Sequence, residues 1–326
     1  MPTPLLEVSH LRVEFPTRRG TLLALDDVSF SIAPGEILGV VGESGAGKSL
    51  TGASIIGLLE PPGRIARGEI RLEGERIDNL PPDRMRAVRG RRIGAIFQDP
   101  LTSLNPLYTV GRQLVETIQT HLPMDRARAR ARAVALLKET GIPAAEQRFD
   151  HYPHQFSGGM RQRVVIALAL AAEPKLIVAD EPTTALDVSI QAQIIALLKR
   201  LTRQHGAAVM LVTHDMGVIA EASDRVAVMY AGRIVEVGPV QQVIHRPAHP
   251  YTVGLMGSIP SMAVEHDRLL QIDGTMPRLN AIPDGCAFNP RCPKAFERCR
   301  HDRPDLMAAE ATQAACWLVG GERGGA

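Results

Sequence analysis

The stretch that most constrains this chain is "ILGVVGESGAGKS", Ile37 to Ser49. Ile37 to Val41 are apolar or small at every position, so a strand here must be covered on both faces, as in the middle of a parallel sheet. The next eight residues fit the pattern G-x4-G-K-S/T at Gly42, Gly47, Lys48 and Ser49. A strand before the loop and a helix after it is the context that this pattern requires. The loop, Gly42, Glu43, Ser44, Gly45, Ala46 and Gly47, can turn its backbone amides inward around phosphate groups, and the helix N-terminus adds partial positive charge. Lys48 is placed to reach outer phosphates, and the Ser49 hydroxyl to bind Mg²⁺.

The rest of the chain supplies partners for that strand. "LLEVSHLRVEF" alternates apolar and polar residues, with Leu11, Val13 and Phe15 on one face, and "LALDDVSFSI" reads as a second strand. Short apolar runs recur before Gln98, Asp180 and His214, and again in "RVAVMY" before "AGR". Between two of them, "SIQAQIIALLKRL" puts Ile190, Ile194, Leu197, Leu198 and Leu201 on one helical face. Strands alternating with helices predict an α/β fold, a mostly parallel sheet with helices packed on it. Active loops then gather at the carboxyl ends of the strands. From about 100 to 172 helical patterns replace strands, which predicts a helical insertion. After about residue 240 proline and turn residues dominate, which predicts a separate C-terminal extension.

Each unusual polar residue falls at a strand end. "KLIVADEP" closes a buried strand with two carboxylates, Asp180 and Glu181. Strand alternation points them in different directions. Asp180 is assigned to Mg²⁺ and Glu181 to general base, the competing reading being an exposed acidic turn before Pro182. His214 is a candidate γ-phosphate contact and Gln98 a candidate sensor of metal or water, against ordinary structural and turn roles. "FSGGMRQR" places Ser157 to cap a helix starting near Met160, with Gly158 and Gly159 permitting close backbone approach.

Net charge is +2 and aromatics make up 4% of residues, so neither a basic nor a stacking surface for nucleic acid is implied. Arginines in "DRARARARAVALLKETG" alternate with alanine and spread around a helix, which predicts a solvated helix. The longest apolar run, Val164 to Ala172, is far short of the roughly 20 residues of a membrane-spanning helix. "MPTPLLEVSH" lacks the pattern of a signal peptide. A cytosolic protein that reaches a membrane only through a partner is the expectation.

The phosphate loop, "IFQDP", "FSGGMRQR", "LIVADEPTTALD" and "VTHD" occur in that order. Together they resemble the nucleotide-binding subunit of an ATP-binding cassette (ABC) transporter, over roughly residues 5 to 240. The resemblance implies a P-loop NTPase (RecA-like) core with an antiparallel β subdomain and a helical subdomain. It implies an ATPase domain over 1–240, with its helical part about 100–172, and a cysteine-containing extension over 241–326. It also implies two cassettes docked head to tail. Ser157, Gly158, Gly159 and Asp187 would then serve the nucleotide on the other cassette. By the same resemblance Phe15, otherwise a strand-core residue, stacks on adenine. Gln98, also a Mg²⁺ ligand, links the nucleotide site to the membrane subunit, Glu181 is the base, and His214 contacts the γ-phosphate. Phe156 and Met160 replace the commoner leucine and glutamine of the signature.

"QDPLTSLNP", "YPHQFSGGM", "HPYT" and "GCAFNPRCPKAFERC" resemble the oligopeptide and dipeptide importer branch. That implies import of peptides across the cytoplasmic membrane, with ATP and Mg²⁺ as cofactors. It implies a second ABC ATPase subunit (a paralogue), two transmembrane permease subunits and an extracytoplasmic substrate-binding protein. The chain would then sit at the cytoplasmic face of the inner membrane. Glutathione, nickel or sugar stay open as other cargoes. A soluble ABC ATPase of DNA repair or translation is the rival; it would show a long coiled coil or two cassettes, and sustained heptads are absent. Cys286, Cys292, Cys299 and Cys316 are spaced C-x5-C-x6-C-x16-C. A disulfide is disfavoured in a cytosol and the usual zinc pairs are missing, while free thiols remain open. The branch resemblance implies a 4Fe–4S cluster on these four.

Overall fold

The computed structural model describes residues 3–184, 186–257 and 272–319. Among them twelve strands form: β1 (Leu6–Thr17), β2 (Gly20–Ile32), β3 (Ile37–Val41), β4 (Arg64–Leu72), β5 (Glu75–Arg76), β6 (Ile93–Ile96), β7 (Leu176–Asp180), β8 (Ala208–Val212), β9 (Arg225–Tyr230), β10 (Arg233–Pro239), β11 (Met307–Ala309) and β12 (Thr312–Ala314). Backbone contacts divide the chain into two units. One holds the residues up to Leu6, Ile32–Ile37 and Arg71–Val212; the other holds Glu7–Ser31, Leu38–Ile70 and everything from Thr213 onward.

In the first unit β8, β7 and β6 lie side by side in that order, both pairs parallel and in register from Leu176↔Ala208 and Ile93↔Leu176. Leu176 to Ala179 and the whole of β8 are buried, as their unbroken apolar runs require. Between β6 and β7 the chain is helical, including Val110–His121, Arg126–Glu139 and Gly158–Leu170. Thr109, Asp125 and Ser157 cap these three through their side-chain oxygens. The arginine-rich helix is less free than alternation suggested. Ala129, Ala133, Leu136 and Leu137 form a buried stripe, and Arg132 donates to the Ala171 carbonyl at 2.9 Å. After β7, helix Val188–His205 buries Ile194, Leu197, Leu198 and Leu201 and stops at Gly206, which is left-handed.

The second unit has two sheets. In one, β2, β1 and β4 are neighbours in that order. In the other the order is β11-β12-β10-β9-β3, with β3 and β9 parallel and the remaining pairs antiparallel. Ala231 and Gly232 join β9 to β10, both with positive φ, the backbone that a two-residue hairpin turn demands. A Cβ on Gly232 would lie 2.3 Å from the Ala24 carbonyl oxygen, so this turn needs glycine for space as well as conformation. The three-residue strands β11 and β12 carry no alternation that sequence could reveal; pairing with β10 makes them strands. Among the described residues no helix is long and apolar enough to cross a membrane.

Candidate active site

In the second unit β3 runs into a loop whose glycines take conformations closed to other residues: Gly42 at φ 151°, Gly45 at 84° and Gly47 at 103°. A Cβ on Gly42 would stand 2.2 Å from the Met229 carbonyl oxygen, whereas one on Gly45 would meet nothing within 4 Å. The loop is thus pressed against β9 on one side and open on the other. Helix Lys48–Ile55 starts at Gly47, which has no side chain to cap it. Its first turn therefore offers amides and positive dipole to an anion. Lys48 is buried, and its ammonium donates to the carbonyl oxygens of Gly42 at 2.9 Å and Glu43 at 3.1 Å. With Ser49 beside it, this donor set fits a triphosphate with Mg²⁺. Phe15 is half-buried and packs on Gly63, where a Cβ would lie 2.7 Å from its ring. His214 is exposed, directly after Thr213, whose amide donates to the Val40 carbonyl of β3.

The first unit carries the other candidates. Asp180 ends β7, half-buried, and Glu181 follows at φ 46°. Such a left-handed backbone costs about 1–3 kcal/mol and is held by its surroundings. The Glu181 amide donates to the Val212 carbonyl at 2.9 Å. Its Oε2 accepts from Gln98 Nε2 at 3.2 Å and from Thr184 Oγ1 at 2.8 Å. Ser157 accepts from the Met160 amide at 3.4 Å, and the helix begins at Gly158, two residues earlier than Met160. A Cβ on Gly159 would lie 2.8 Å from Ile190 Cγ2. Ser157, Gly158 and Asp187 are exposed.

So the fold joins Gln98 to Glu181, and Lys48 to Gly42 and Glu43. Three contributors escape the sequence reading. Thr184, three residues after Glu181, holds its carboxylate; the short spacing in "DEPTT" was a signal available in the sequence. Tyr251 accepts from the Glu43 amide at 2.9 Å, and Arg291 pairs with the Glu43 carboxylate at 3.0 Å. Only their membership of the quoted motifs "HPYT" and "NPRC" marks them.

The cysteine expectation needs correcting. All four thiols border one small cavity with Phe288 and Trp317, yet closeness is not a donor set. Among the described residues no group of three or more His, Cys, Asp or Glu side chains is placed to hold a metal ion. Burial pushes the Cys286 thiol up to about 11 and raises those of Cys292 and Cys316. They are free cysteines, Cys299 and Cys316 buried, and the 4Fe–4S cluster is not supported.

A phosphate loop behind a buried strand and a braced carboxylate closing another define a nucleotide-hydrolysing P-loop enzyme. Residues 25–184 match the family model of the ABC transporter, and residues 235–299 that of the oligopeptide/dipeptide transporter C-terminal region. The dipeptide transport ATP-binding protein DppD of Escherichia coli (strain K12) is 45% identical over 96% of this chain and 96% of its own length. The oligopeptide transport ATP-binding protein OppD of Salmonella typhimurium is 48% identical over 92% of this chain and 89% of its own. Among solved structures, a dimeric post-hydrolysis state of the ATP-binding cassette MJ0796 bound to ADP and Pi superposes with a TM-score of 0.65. It is 30% identical and covers 72% of this chain and 98% of that one. The chain belongs to the ATP-binding subunits of ABC transporters, in the oligopeptide/dipeptide branch, and is an ATPase.

Proposed function

We propose that this protein powers an importer of di- or oligopeptides, coupling ATP binding and hydrolysis at a head-to-tail pair of cassettes to uptake across the cytoplasmic membrane. The observation that carries the catalytic part is the Glu181 carboxylate, held by Gln98 and Thr184 at the end of a buried strand. An acceptor whose position is set before the reaction is what a general base needs. Lys48 and the amides of Gly42 to Ser49 hold the phosphates, and Phe15 stacks on the base. Ser49, Asp180 and Gln98 would hold Mg²⁺, which would supply charge neutralisation at the outer phosphates. Glu181 takes the proton of the attacking water, and His214 steadies the γ-phosphate.

Exposed Ser157, Gly158 and Asp187, with half-buried Gly159, meet the nucleotide of a second cassette, a paralogue. That explains why one chain carries two anion-binding helix starts. The boundary between the ATPase domain (1–240) and the extension (241–326) belongs to the same reading. So do two permease subunits, an extracytoplasmic binding protein and a position at the cytoplasmic membrane face. The relatives' names as dipeptide and oligopeptide transport proteins support the peptide cargo. The test is purification with its partners from membranes, followed by uptake of labelled dipeptides and tetrapeptides into proteoliposomes. ATP-dependent peptide uptake is expected. Recovery without two polytopic membrane proteins, or uptake of glutathione, nickel or sugar but not peptide, would overturn the reading.

A further inference from the structure

The segment beyond β10 does more than follow the ATPase domain. Tyr251 is fully buried, and its hydroxyl accepts the amide proton of Glu43, the second residue of the phosphate loop. The carboxylate of that same residue pairs with Arg291, whose side chain is 7% exposed. Arg291 is itself held: Nε donates to the Asp273 carbonyl at 2.8 Å, Nη2 to the Ile272 and Gly274 carbonyls at 3.3 and 3.4 Å, and Nη1 to the Tyr230 hydroxyl at 3.4 Å. Tyr230, Tyr251 and Phe288 pack mutually, with ring centroids 4.7 to 5.4 Å apart.

Behind them stands a fully paired buried chain. The Tyr251 amide donates to Nδ1 of His249 at 3.0 Å, and the amides of Ala248 and His249 donate to the two oxygens of buried Glu236 in β10, each at 2.9 Å. On the other side of the same peptide, the Gly42 carbonyl accepts from Lys48 at 2.9 Å, and in the next peptide the Glu43 carbonyl accepts from Lys48 and from the Ala46 amide, both at 3.1 Å. Glu43 is therefore gripped from the lysine side and from the C-terminal segment at once. Phosphate loops bind by amide direction, so a residue that sets the peptide plane at Glu43 sets the geometry offered to the ligand.

We infer that Tyr251 and Arg291 are positioning residues of the phosphate loop, and that the chain beyond β10 is part of the nucleotide site and tunes its affinity. This rests on the reading of Gly42 to Ser49 as the ATP phosphate site. Tyr251→Phe keeps the ring and removes only the acceptor, leaving the Glu43 amide unpaired. Arg291→Ala removes the paired charge, and Arg291→Lys keeps charge without the planar fork.

The test uses the full chain, a fluorescent ATP analogue with Mg²⁺, thermal melting, and steady-state ATP hydrolysis split into KM and kcat. Tyr251→Phe is expected to weaken analogue binding about fivefold, and Arg291→Ala by about tenfold or more. Arg291→Lys should fall between wild type and Arg291→Ala. The double variant should lose less than the product of its parts, because both residues act through Glu43. KM should rise with binding loss while kcat changes less. Wild-type affinity and KM in Tyr251→Phe and Arg291→Lys, even with lowered melting, would overturn the inference by reducing both residues to structural supports. If Arg291→Ala does not fold, those two variants decide the matter. Lys48→Ala reports on the underlying reading: analogue binding equal to wild type there would remove the phosphate site itself, and this inference with it.

Discussion

Glu181→Gln is the sharpest perturbation of the catalytic reading. Glutamine keeps the length of the side chain and one acceptor oxygen, so the hydroxyl of Thr184 and the amide of Gln98 both retain a partner. Two hydrogen bonds pass from charge-assisted to neutral. Gln98 and Thr184 are solvent-exposed, which limits the cost in stability to about 1 kcal/mol. Proton acceptance, in contrast, is lost outright. A positioned base contributes about 10²–10⁴-fold, or about 3–5 kcal/mol of barrier at 1.36 kcal/mol per decade. The expected result is phosphate release slowed at least a hundredfold, with nucleotide affinity within about threefold of wild type. Single-turnover phosphate release, equilibrium nucleotide binding and gel filtration with ATP measure the three consequences, the last as accumulation of a closed dimer. A companion Thr184→Ala should lower kcat without raising KM, because it removes one of the contacts that position the carboxylate and leaves the phosphate loop intact. Turnover of Glu181→Gln near wild type would refute the assignment of the base.

Three further outcomes follow from particular contacts. Gly42→Ala places a Cβ 2.2 Å from the Met229 carbonyl oxygen at a φ of 151°. A cost of about 3 kcal/mol is expected, seen as melting lowered by on the order of 10 °C together with lost ATP binding. Burial lowers the pKa of His249 to about 4 from 6.5, so the unfolded chain takes up the proton first on acidification. The stabilisation, about 3 kcal/mol, is complete above pH 6.5 and drains as pH falls towards 4; melting followed from pH 7.5 to 4.5 should be steeper in wild type than in His249→Gln. Thiol titration of the native protein should label Cys299 and Cys316 slowly, and unfolding in urea should expose four thiols with no iron released.

Much of the chemistry was legible because it is local. The phosphate loop, the Ser157 cap and the carboxylates at the end of β7 each depend on residues within a few positions, where backbone conformation and helix dipoles act directly on neighbours. The buried apolar runs announced their own strands for the same reason. The backbone of Glu181 was less legible, since a left-handed glutamate runs against its own preference and is seen here with its amide paired to Val212. Helix Arg126–Glu139 showed its charge in sequence but not its tethers, because Arg132 finds the Ala171 carbonyl only after the helices pack.

Separation along the chain marks the limit. Glu43 lies 208 positions from Tyr251 and 248 from Arg291, and no period or spacing in the sequence encodes that meeting. The four cysteines make the same point in reverse: their spacing and family likeness suggested a metal, while among the described residues packing assembles no donor set that could hold one. Amino-acid order by itself carried the reading of where phosphate would be held and which carboxylate would act as base, since short-range geometry does that work. Tertiary packing alone decided what braces the loop and how deeply the thiols are buried, because desolvation and long-range contact exist only once distant segments have been brought together.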